Sequence, residues 1–112
     1  MEPENLAAKR CRPCEGGVAP LREEEAKELM RRVPGWETEG NQIWRTFCFK
    51  NYFRTISFVN AVAWIAHTEN HHPDLQVSYG ACRVSYTTHA AGGLTENDFI
   101  CAAKVDLLLP ED

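Results

Sequence analysis

A chain of 112 residues, 44% hydrophobic and 25% charged, has the size and composition of one small domain built on a single core. Its formal net charge of −4 argues against a sequence-independent nucleic-acid binder, which needs a basic face. No run of about 18 apolar residues is present to span a bilayer, and polar Met1–Arg12 lacks the apolar stretch of a secretory signal, so a cytoplasmic protein with reduced thiols is expected.

In chain order, residues 1–20 hold three prolines, Gly16-Gly17 and few large apolar side chains, and read as a flexible N-terminal arm. The arm carries Cys11 and Cys14, a lone Cys-x-x-Cys that lacks the second pair of a zinc ribbon. Residues 21–112 read as the folded domain. A first helix is expected over Leu21–Val33, with Glu23, Glu24 and Glu25 at its positive end and Pro34-Gly35 stopping it. Trp36–Glu39 and Gln42–Phe49 form a hairpin about Gly40-Asn41, with Ile43, Phe47 and Phe49 on one side and Arg45 interrupting them.

A long helix over Asn51 to about Glu69 follows. Phe53, Ile56 and Ala63 occupy one face, and Phe58, Val62 and Ile65 another, with Trp64 beyond. A helix apolar on most of its circumference asks for more cover than one small domain supplies, which points to a homo-oligomer or to a helix sandwiched in the monomer. Leu75–Ser78 and Ala81–Thr88 make a second hairpin, where Cys82, Val84 and Tyr86 alternate with polar residues. Thr95-x-x-Asp98 opens a last helix with a capping pattern. Cys48, Cys82 and Cys101 read as small buried hydrophobes. The expected fold is α+β: a four-stranded antiparallel sheet with three helices packed on one face, in helix-hairpin-helix-hairpin-helix order.

All four histidines fall at His67, His71, His72 and His89. Pro73 drives His72 out of the helical region, so the long helix ends at or before it and the imidazoles sit at an element end. Three uses fit such a cluster. Adjacent imidazoles disfavour each other's charge and supply both an acid and a base near neutral pH. Three of them could form a zinc-type site, although the chain turns near His71 and offers no obvious carboxylate behind it. The third use is structural, with a helix-ending histidine bonded to backbone carbonyls.

The residues also resemble a known family, the pterin-4a-carbinolamine dehydratases. The pattern is an ionisable residue, His-His-Pro, an aromatic, a further His and an Asp, matched here by His67, His71-His72-Pro73, Tyr79, His89 and Asp98. Val33-Pro34-Gly35-Trp36, Thr87-Thr88-His89 and Asn97-Asp98-Phe99-Ile100 agree with it, and the likeness runs from about Pro20 to Leu109. The resemblance implies metal-free, cofactor-free loss of water from a 4a-hydroxytetrahydropterin, recycling the cofactor of aromatic amino acid hydroxylases. It implies His71 and His89 as acids and His72 as a pterin-binding residue and base. It places His67, Asn70, Thr87, Thr88 and Asp98 around the pterin, with His67 standing where many members have Glu. Dimers or tetramers are implied, and some animal members also serve as dimerisation cofactors of a homeodomain transcription factor.

Overall fold

The computed structural model describes residues 5–13 and 18–109. Its sheet is built on β4 (Ala81–Tyr86), where Cys82, Val84 and Tyr86 are fully buried and the residues between them are partly exposed. β2 (Gln42–Cys48) pairs antiparallel with β4, setting Ile43 opposite Tyr86 and Phe47 opposite Cys82, so both apolar rows share one face. β1 (Glu37–Glu39) joins outside β2, and β3 (Asp74–Val77) outside β4. The order is therefore β1-β2-β4-β3, antiparallel throughout.

Arg45 lies on the apolar face without breaking it. Its guanidinium stands 4.7 Å from the centre of the Phe47 ring and donates to Asp106 at 2.9 Å, an oxygen that also accepts from Trp36 Nε1 at 2.9 Å. Gly35 makes this possible, since a β-carbon there would stand 2.6 Å from Arg45 Nη1.

Three helices cover the apolar face. α1 (Glu23–Met30) is shorter at both ends than expected. Glu25 accepts the Arg22 N–H at 2.9 Å and fixes its start, while Val33 is buried in the turn beyond its end. α2 (Tyr52–Glu69) is capped by Asn51, whose side chain accepts the Arg54 N–H at 2.9 Å. It turns Thr55, Phe58, Val62 and Glu69 inward and leaves Tyr52, Phe53 and Trp64 exposed. α3 (Glu96–Asp106) is the most deeply set, burying Phe99, Ile100, Cys101, Ala102 and Val105.

Two expectations are corrected. Cys48 is exposed, because it has the parity opposite to Ile43 and Phe47 at the end of β2. Residues 5–13, expected within a flexible arm, lie along α3 instead. Leu6 is buried in the core, Lys104 Nζ donates to the Ala7 carbonyl at 2.8 Å, and Lys9 pairs with Glu96 at 2.6 Å. Leu6 in the core, Cys11 packed against it and scattered polar partners hold this segment, none of which composition reveals. Cys14, and with it the Cys-x-x-Cys as a pair, lies outside the described residues.

Candidate active site

The site begins where α2 ends. Asn70 takes the left-handed conformation (φ 54°, ψ 44°), which asparagine tolerates better than most side chains. Across it the His71 N–H returns to the Ala66 carbonyl at 3.1 Å, a bond that closes helix ends of this kind. The helix stops at Glu69, before His72 as Pro73 requires, and the chain leaves in a new direction with His71 at the bend.

His71 is fixed on two sides. Its Nε2 lies 2.6 Å from Asp98 Oδ1, and its ring stacks on Tyr86 at 5.8 Å with 8° between the planes. Asp98 is fully buried. Its second oxygen accepts from the Thr88 hydroxyl at 2.8 Å and the Thr95 N–H at 2.9 Å, and the two threonine hydroxyls are 2.8 Å apart. One carboxylate oxygen thus caps α3 while the other faces the imidazole. With Nε2 engaged by the carboxylate, Nδ1 is the ring nitrogen left for a bound molecule.

His71, His72 and His89 border one cavity of about 480 Å³, together with Asn70, Thr87 and Thr88. His72 and His89 are exposed. His89 opens a short 3-10 turn after β4, which closes at Gly92 in the left-handed region (φ 74°). Thr87 donates its hydroxyl proton to the Asn41 carbonyl, tying this end of the site to the first hairpin. Asp98 lies behind His71 and does not line the cavity. His67 is not brought to the cavity; its ring lies against Trp64, centres 5.4 Å apart, on the outer side of α2. The helical spacing that would align it with His71 ends at the left-handed Asn70.

One part of the lining was not foreseen. Arg10, Cys11, Arg12 and Pro13 border the cavity, and so does Glu69. The Glu69 side chain is only 4% exposed and takes the Cys11 N–H at 2.8 Å and Arg10 Nε at 3.0 Å. A signal existed: Glu69 continues the buried α2 stripe of Thr55, Phe58 and Val62, and a charge on such a stripe needs a partner. Cys11 Sγ lies 3.6 Å from Cys101 Sγ. Its hydrogen bond with Cys101, then burial, and then the charges of Cys101 and Glu69, hold the thiol well above the ordinary range. Among the described residues no three His, Cys, Asp or Glu side chains gather so as to hold a metal ion.

Comparison with known proteins places this geometry. A family model described as pterin 4 alpha carbinolamine dehydratase matches residues 19–108. A candidate pterin-4-alpha-carbinolamine dehydratase of Nitrosomonas eutropha is 63% identical over 106 residues, covering 94% of each chain. One of Nitrosospira multiformis is 59% identical over 105 residues, covering 94% of this chain and 93% of its own. The crystal structure of a transcriptional coactivator/pterin dehydratase from Brucella melitensis superposes with a TM-score of 0.76 at 31% identity, covering 80% of this chain and 97% of that one. The family match spans the sheet, the three helices and all four histidines, and the chain belongs to the pterin 4 alpha carbinolamine dehydratase family.

Proposed function

We propose that the chain removes water from a 4a-hydroxytetrahydropterin, 4a-hydroxytetrahydrobiopterin or a close relative, to give the quinonoid dihydropterin. The observation that carries this reading is the Asp98-held His71 sharing one cavity with His72 and His89. Hydroxide is a poor leaving group, so the 4a-oxygen must be protonated as its bond to C4a breaks and the electron pair departs with it as water. The N5–H pair then forms the C4a=N5 bond and its proton passes to a base. Each well-placed transfer is worth about 10²- to 10⁴-fold in rate. His71 and His89 deliver the proton to the 4a-oxygen, each suited to one face of C4a. His72 binds the pterin and assists as base, Thr88 and Asp98 hold the His71 ring, and Asn70 and Thr87 border the ligand. The quinonoid product suits reduction back to the cofactor of an aromatic amino acid hydroxylase, and a reducing compartment such as the cytoplasm suits the free thiols.

A second copy of the chain covers the exposed aromatic face of α2 in this reading. The coactivator named with the Brucella structure motivates the alternative, in which the fold serves as a dimerisation module without catalysis. Purified protein added to chemically generated 4a-hydroxytetrahydropterin separates these. Acceleration that a chelator leaves intact is expected. Chelator-sensitive acceleration would mean a metal enzyme, and no acceleration would leave the binding module.

A further inference from the structure

The segment that closes the cavity is held by a carboxylate for which the dehydration itself has no use. We infer that Glu69 is a positioning residue that holds residues 10–13 as a wall of the ligand pocket, so that pterin affinity depends on it. The inference takes its ligand, though not its geometry, from the function proposed above.

A carboxylate this deeply buried is costly to ionise unless it is paired and hydrogen-bonded. Two of the partners of Glu69, the Cys11 N–H at 2.8 Å and Arg10 Nε at 3.0 Å, belong to the wall. A third, Lys104 Nζ at 3.8 Å, comes from α3 and also donates to the Ala7 carbonyl at 2.8 Å. The next residue of the wall is tied separately: the Arg12 N–H donates to Asn97 Oδ1 at 3.0 Å, and Asn97 Nδ2 donates to the Arg12 carbonyl at 2.6 Å. Glu69 directly precedes Asn70 and His71, so one helix end fixes both the wall and the imidazole. The bonds that hold His71 run through Asp98, Thr88 and Thr95 and share no atom with those of Glu69. Loosening the wall therefore weakens binding and leaves the proton-transfer geometry standing, which places the loss in KM rather than kcat.

Two variants of the full chain grade the effect. Glu69→Gln keeps an oxygen for the Cys11 N–H and loses the charge, whereas Glu69→Ala loses both. With 7,8-dihydrobiopterin as the probe, Kd is expected to rise about threefold in the first and about tenfold or more in the second, the weight of hydrogen bonds to a charged group. KM should follow Kd, with kcat held within about twofold. Trypsin cleavage after Lys9 and Arg10 should quicken in the same order. If Glu69→Ala fails to fold, Glu69→Gln carries the test, and its Kd must rise together with its rate of trypsin cleavage.

Unchanged Kd in the variants overturns the inference, whether or not trypsin finds the segment released, and so does a Tm loss without a change in KM. A collapse of kcat at constant KM overturns it too, by putting Glu69 in the chemistry. The wild-type chain separates the two readings. If it binds the probe and the variants bind equally well, the Glu69 inference alone falls. If it binds no pterin, the proposed function falls first and the pterin wall falls with it. Pterin binding without dehydration removes only the catalytic reading.

Discussion

His71 shows how one side chain is made into a usable acid or base. Its orientation comes from Asp98 on one side and Tyr86 on another, and Asp98 is held in turn by Thr88 and the start of α3. Asp98→Asn preserves size but replaces one carboxylate oxygen with an amide N–H, so the partner that fixes the His71 tautomer and orientation is lost. We expect kcat to fall by about 10²-fold or more, with KM much less affected. His67→Ala provides the contrast. Since that ring rests on Trp64 away from the cavity, kcat should stay within about threefold of wild type. Steady-state kinetics on the two variants checks both. Equal losses would restore His67 to the site from which its position removes it.

Elements differ in how plainly the sequence announces them. The sheet was legible because burial with a period of two leaves a direct trace: Cys82, Val84 and Tyr86 are buried as their alternation requires. Much of the site was legible too, since Pro73 marks the end of α2 and Thr95-x-x-Asp98 the start of α3. What could not be read were contacts without a period. Cys11 meets Glu69 across 58 residues of sequence, and neither residue's neighbours hint at the other. His67 was expected at the site through the family resemblance alone, and the turn of the chain at Asn70 leaves its ring against Trp64 instead. The α2 expectation concerns its outer face, where Phe53 is 79% and Trp64 68% exposed. Aromatic groups left this open are where the proposed second copy would seat. If a second copy covers it, Trp64→Glu should reduce the mass in sedimentation velocity from an oligomer to a monomer with the helical circular dichroism retained. A wild-type chain already at monomer mass would refute that cover.

At the scale of the whole molecule, protonation ties stability to alkaline pH. Burial pushes up the Cys82 thiol. It also leads among the causes that raise the Tyr86 phenol, while for Cys11 the hydrogen bond with Cys101 leads and burial follows. In all three the folded chain holds the proton more tightly than the unfolded chain. Their contribution is therefore complete below the ordinary thiol value of 9.0 and is lost as pH rises beyond it. Tm should begin to decline above about pH 9, with each group adding up to about 1.4 kcal/mol per pH unit once its unfolded form ionises. Cys82→Ala should make that decline shallower even though its Tm at neutral pH is lower. A melting temperature constant to about pH 10.5 would refute the assignment.

The left-handed residue at position 70 also limits how this protein can vary in length. The Ala66 carbonyl, the Glu69 carboxylate and the His71 imidazole are spaced along one backbone trace that reverses once, at Asn70. Adding or deleting a single residue between Ala66 and Glu69 would turn the wall's anchor about 100° around the helix and break its spacing from the imidazole. A change of length at this helix end therefore acts on the wall and the imidazole through geometry, before any change of side-chain chemistry.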